Sequence, residues 1–162
     1  MERTDFNGKL RLADVGREVT LLGWVATKRN LGSIVFFDLR DASGIVQLVA
    51  RDASILPDVR NEYVVEAKGI VEKKDVPNPN LPTGEIEVNL SSLRVINTAE
   101  TTPFIIADKT DALEETRLNY RYLDIRRPCL LHNLKVRAQL VSVWHRYFDS
   151  HDFLEVETPS LN

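Results

Sequence analysis

Five short runs of strand-forming residues, separated by turn signals, fill the first hundred positions of the chain. They are Val19 to Ala26, Ser33 to Leu39, Ile45 to Ala50, Tyr63 to Val71 and Glu85 to Leu90. Asn30-Leu31-Gly32, Asp41-Ala42-Ser43-Gly44 and the Pro- and Asn-rich stretch from Val76 to Gly84 punctuate them. Between the third and fourth runs, Asp52 to Asn61 is long enough for one short helix. Side chains alternate faces along a strand, so each run with one apolar set needs a shared core.

Five strands with a helix between the third and fourth predict a mainly β domain, the five-stranded Greek-key barrel of the OB-fold, over residues 1–97. The strand count by itself also permits other small barrels. The pattern then changes. Residues 98–128 read as a linker, Thr98 to Asp111, followed by a charged helical stretch, Glu114 to Arg127, stopped by Pro128. In residues 129–162, Leu130, Leu134, Val141, Trp144 and Phe148 recur on one face of a long amphipathic helix. Phe153 to Glu157 alternates like a single strand, closed by Thr158-Pro159. A helix and one strand cannot bury both apolar faces alone, so this part reads as cut from a larger domain.

Charge narrows the function. The net charge is -3 and the pI about 5.7, which argues against a protein that coats nucleic acid by bulk electrostatics. A local reader of a few bases stays open. The one cysteine, Cys129, excludes a disulfide framework within the chain. The N-terminus lacks the apolar run of a signal peptide, and no stretch approaches the ~20 apolar residues of a membrane helix. A cytoplasmic protein with no membrane partner is the expectation.

The barrel's outer face carries candidate chemistry. Val35, Phe37 and Leu39 form an apolar set, and the charged Asp38 marks Ile34, Phe36 and Asp38 as the outward set. In the third run Val46, Leu48 and Ala50 are the inner set, which turns Gln47 outward. With residues 40–43 as a four-residue hairpin loop, Phe36 lies opposite Gln47. Ile86, Val88 and Leu90 as core turn Glu85, Glu87 and Asn89 outward. A flat ring stacks an unpaired base, worth roughly 1–3 kcal/mol. An amide can bond a base edge as donor and acceptor, and a carboxylate can accept from a base amino or imino group. Lys28 and Arg29 could meet phosphates or stack on a base. Alternatively, Phe36 covers an apolar rim while Gln47 and Glu87 are merely solvated, since single exposed hydrophobes are ordinary.

The same residues carry a resemblance. Gly23-Trp24-Val25, Arg29-Asn30-Leu31-Gly32-Ser33, Phe37-Asp38-Leu39-Arg40-Asp41 and Gly44-Ile45-Val46-Gln47 resemble the anticodon-binding region of bacterial-type class II aspartyl-tRNA synthetases. So do Pro82-Thr83-Gly84-Glu85-Ile86-Glu87-Val88 and the run from Thr116 to Arg126-Arg127-Pro128. The resemblance implies that Phe36 stacks on the central anticodon uridine, that Gln47 bonds it, and that Glu87 reads the first anticodon base. It places Arg29, Lys28 and Asn78 in the same anticodon-binding set. The helix and strand from Leu130 to Pro159 resemble motif 1, the start of the class II catalytic domain, which implies a dimer interface including Trp144, Phe148 and Pro159.

Two departures stand out. Thr27-Lys28-Arg29 replaces a run of arginines, which predicts fewer phosphate contacts and a shallower salt dependence. Asp152 stands where glycine is common, and Asp tolerates the left-handed conformation.

No motif 2, motif 3 or phosphate loop is recognisable, and His132, His145 and His151 lack ligand spacing. The expectation is therefore a recognition module with no catalytic residue, metal or cofactor of its own. ATP and Mg2+ belong to the parent ligase, tRNA(Asp) and a second subunit are the partners, and DNA is not one. The rivals are a generic single-stranded nucleic-acid-binding OB-fold, a purely structural dimerising module, and a lysyl or asparaginyl relative.

Overall fold

A computed structural model describes residues 2–52, 54 and 56–159. The chain divides into two compact units, Met1–Thr102 and Pro103–Asn162. In the first, strands β1 (Glu18–Leu31), β2 (Ile34–Asp41), β3 (Gly44–Ala50), β4 (Val64–Lys73) and β5 (Ile86–Asn97) close a barrel in the order β1-β2-β3-β5-β4. All pairings are antiparallel except β3 with β5, a short parallel seam at Leu48↔Val88 and Val49↔Asn89.

Alternation builds the core. Val19, Leu21 and Val25 from β1, Phe37 and Leu39 from β2, Val46 and Leu48 from β3, and Ile86 and Val88 from β5 are all fully buried. Each such side chain contributes about 1.5–3 kcal/mol relative to exposure. A bulge in β1 between Val25 and Thr27 advances the register by one residue. Beyond it Lys28 rather than Arg29 turns inward. Two 3-10 turns, Asn7–Lys9 and Leu12–Asp14, precede β1. Gly8 packs so closely on the β2–β3 turn that a Cβ there would lie 2.3 Å from the Ser43 carbonyl oxygen.

Several expectations need correction. The first strand runs on through Leu31, and the turn is Gly32-Ser33, with Gly32 at φ +64. The β2–β3 loop holds two residues, not four: Asp41 pairs with Gly44, and its side chain accepts from the Ser43 N–H at 2.8 Å. Of residues 52–61, where one short helix is expected, Ser54 is in 3-10 conformation and residues 56–60 are not helical; Ala53 and Ile55 lie outside the described residues. There the Asp52 side chain turns the chain by accepting from the Ser54 N–H. Pro57 then lacks a donor, and Val59 enters the barrel core.

In the second unit the expected single helix from Glu114 to Arg127 is two, α1 (Glu114–Asn119) and α2 (Arg121–Asp124), broken at Tyr120 with φ -108 and ψ 46. Pro128 opens the next helix, α3 (Pro128–Asp149), as its first residue, where its missing N–H costs nothing. Asp108 supplies the cap by accepting from the Cys129 N–H at 2.8 Å. Asp124, 1% exposed at its side chain, bonds Arg127 at 2.9 Å, and Arg127 also donates to the Ala107 and Asp108 carbonyls. Asp152 adopts φ 61, the left-handed conformation expected of it. Phe153 to Glu157 is not a strand; pairing needs a partner strand, and none of the described residues supplies one. No helix among the described residues is long and apolar enough to cross a membrane.

Candidate nucleic-acid interface

The outer faces of β2, β3 and β5 meet at an open depression of about 380 Å³. Phe36, Gln47 and Glu87 line it together, with Val49 forming its buried floor. The sequence-derived faces are therefore right, but the pairing differs. Phe36 stands opposite Val49, and Gln47 opposite Asp38. The two-residue turn shifts the register by two positions, which preserves the face while moving Gln47 to a diagonal position.

Arg29 stands cross-strand from Phe36. Its guanidinium bonds Asp38 at 3.2 Å on the outer face and does not line the depression. Lys28 does not join it. The bulge turns Lys28 inward, where Nζ donates to the Val59 carbonyl at 3.1 Å and lies 5.9 Å from the Phe37 ring centroid. Asn78 is exposed but outside the depression. Its side chain accepts from the Asn80 N–H at 3.0 Å and its backbone closes on Gly84. It shapes the loop rather than facing the base site.

Two cations that sequence reasoning passed over complete the wall. Lys74, 8% exposed, and Arg51 both line the depression. Lys74 sits in the charged run Glu72-Lys73-Lys74-Asp75, which reads as solvated. It is buried only because the loop after it folds back, with the Lys74 N–H donating to the Glu85 carbonyl at 2.9 Å. Arg51 follows β3, bonds Glu72 at 2.8 Å, and stands 3.8 Å from Glu87.

Burial pushes the Glu87 carboxyl above the usual carboxylate range, against the opposing pull of Lys74 and Arg51. Desolvation likewise holds the Lys74 amine below the ordinary lysine value, with Glu87 opposing it. Glu72 lies below the usual range because Asn89 donates to it at 2.9 Å and Arg51 adds its charge. The arrangement thus offers a half-buried ring, a free amide, a poorly hydrated carboxylate and flanking cations. Those groups suit a planar, hydrogen-bonding ligand carried on a phosphate backbone.

In the second unit, Trp144 and Phe148 are 67% and 44% exposed on α3, and Pro159 is exposed. Phe148 packs edge-on against Phe153, with ring centroids 5.3 Å apart. None of the residues of α3 is buried.

Comparison with known proteins agrees with both halves. Residues 19–96 match the family described as OB-fold nucleic acid binding domain, and residues 113–162 match tRNA synthetases class II (D, K and N). The chain is 45% identical to an aspartate–tRNA ligase of Streptococcus thermophilus over 99% of its own length and 29% of the relative's. It is 42% identical to that of Limosilactobacillus fermentum, over 99% and 28%. The chain thus spans less than a third of these curated relatives. Asparaginyl-tRNA synthetase from Pyrococcus horikoshii, solved with asparaginyl-adenylate, superposes with a TM-score of 0.81 at 27% identity, covering 98% of this chain and 37% of that one. Aspartyl-tRNA synthetase from Entamoeba histolytica gives 0.83 at 20% identity, over 93% and 38%, a likeness of fold.

Proposed function

We infer, for a chain that belongs to the class II tRNA synthetase family of aspartate–tRNA ligases, that its barrel reads the anticodon of tRNA(Asp). The observation that carries this is the convergence of Phe36, Gln47 and Glu87 on one depression walled by Lys74 and Arg51. Phe36 stacks the central anticodon base, Gln47 bonds its edge, and Glu87 accepts from the first base. Arg29, cross-strand from Phe36, meets the loop backbone once its bond to Asp38 opens. The inward Lys28 and the loop-closing Asn78 have supporting roles.

Recognition works by difference. A wrong base forfeits a stack or leaves a half-buried polar group unpaired, which costs about 1–3 kcal/mol per position. We assign the chain a share in the ATP-dependent aspartylation of tRNA in the cytoplasm, and the exposed α3 face with Trp144, Phe148 and Pro159 to pairing with a second copy. We assign ATP and Mg2+ to the parent ligase rather than to the barrel.

The test is binding of a GUC anticodon stem-loop against the same hairpin with its central U changed to C. Wild type should prefer U, and Phe36→Ala should weaken binding by roughly 1–3 kcal/mol, about 5- to 150-fold, and erase the preference. Equal binding of both hairpins by wild type would refute base reading.

A further inference from the structure

The β4–β5 register sets Glu72 directly opposite Glu87. Like charges in that relation repel, and one of two crowded carboxylates ordinarily takes up a proton. The only group within ion-pair distance of both, among the described residues, is Arg51: 2.8 Å from Glu72 and 3.8 Å from Glu87. Glu72 is itself anchored, since Asn89 donates to its other oxygen at 2.9 Å. The guanidinium is therefore held by a fixed carboxylate, and its field falls on the second one. The remaining charges around Glu87 are Lys74 and Asp75, just past β4, which oppose one another in sign. Asp38 and Arg29 act on Lys74 from β2 and β1, again with opposite signs.

We propose that Arg51 is a positioning residue: it separates the two carboxylates that the β4–β5 register sets opposite each other, so that Glu87 faces the depression as an ionised acceptor. This deepens the anticodon reading and rests on the role given there to Glu87. A guanine presents an imino N–H and an amino group, both donors, and only the carboxylate form of Glu87 can accept from both. A protonated Glu87 would turn one oxygen into a donor and lose the discrimination. Arg51 thus sets the pH down to which the first base is read, without touching the base.

Two measurements on the full 162-residue chain separate this proposal from the reading beneath it. The first needs no RNA: the carboxyl 13C shift of Glu87 is followed against pH. Arg51→Gln should move its titration to higher pH, and the double variant Arg51→Gln with Glu72→Gln should move it back. The second compares stem-loops carrying G or A as first anticodon base. Arg51→Gln should lower the G preference roughly tenfold near pH 6 yet leave it intact near pH 8, on the scale of one lost base contact. Circular dichroism and melting verify that each variant is folded. An unmoved Glu87 titration overturns the proposal even where wild type prefers G. An equal loss for G and A at every pH overturns it too, since that marks a phosphate contact instead. A moved titration with no G preference in wild type at any pH refutes the reading of Glu87, and the proposal with it.

Discussion

Gly84→Ala tests how the depression is walled. The loop between β4 and β5 closes on itself through the Asn78 N–H to the Gly84 carbonyl at 2.9 Å and the Gly84 N–H to the Leu81 carbonyl at 2.9 Å. Thr83, 2% exposed, pins it to the barrel by donating to the Ile45 carbonyl at 2.6 Å. A Cβ on Gly84 would lie 1.8 Å from the Asn78 carbonyl oxygen and 2.9 Å from that of Leu81. Both contacts are backbone, so no side chain can swing aside, and the Asn78–Gly84 closure must open. That forfeits the Asn78–Gly84 bond and the Leu81 N–H to Asn78 carbonyl bond. At about 0.5–1.5 kcal/mol each, the loss is roughly 1–3 kcal/mol. For a barrel of this size each kcal/mol moves the midpoint by about 4–8 °C. Urea and thermal unfolding should show that drop. Stem-loop binding should weaken as well, because Asp75 and Val76 on this loop border the site, while Phe36 and Gln47 on their strands stay put. A midpoint within a degree of wild type would mean the loop is slack and that its closure contributes nothing to the site.

Two further expectations follow from the geometry. Lys28→Ala should leave the salt dependence of RNA binding unchanged, because Lys28 is turned inward onto Val59, whereas Arg29→Ala should reduce the slope by about one phosphate contact. Asp124→Asn should lower the melting temperature of the second unit at neutral pH by several degrees, because Arg127 loses its charged partner. The bond from Arg127 holds the Asp124 carboxyl below the usual range. Its stabilisation is therefore complete above the unfolded-state value near 3.8 and disappears as pH falls through the lower folded value. Melting curves of the two proteins should converge in acid; a constant gap at all pH values would contradict this.

Strand faces were legible in the sequence because alternation survives errors in register. The β2–β3 pairing came out two residues away from the expected one, yet Phe36 and Gln47 kept their side of the sheet. The inward turn of Lys28 was not legible, because a bulge reverses the alternation after Ala26 and nothing in Val25-Ala26-Thr27 announces it. Lys74 and Arg51 were invisible for another reason. Their place depends on a loop folding back and on a cross-strand carboxylate, which are long-range consequences of closure. In the second unit, Pro128 was correctly a boundary but was assigned to the wrong side of it: proline ends one helix and begins another equally well.

The short parallel seam between β3 and β5 has a consequence for how such a protein is made. Phe36 and Gln47 leave the ribosome about fifty and forty residues before Glu87, and only the last barrel strand brings the two groups together. A nascent chain that has folded its first three strands already displays a ring and an amide, but not yet the Glu87 carboxyl proposed to read the first base. On the proposed reading of Glu87, discrimination at the first position arrives with closure, because the contact that joins the two halves is non-local and forms after the local hairpins. On that reading an unfinished barrel lacks the group that chooses the first base. On the same reading, a preference at the first base also reports that the chain has been made through its fifth strand.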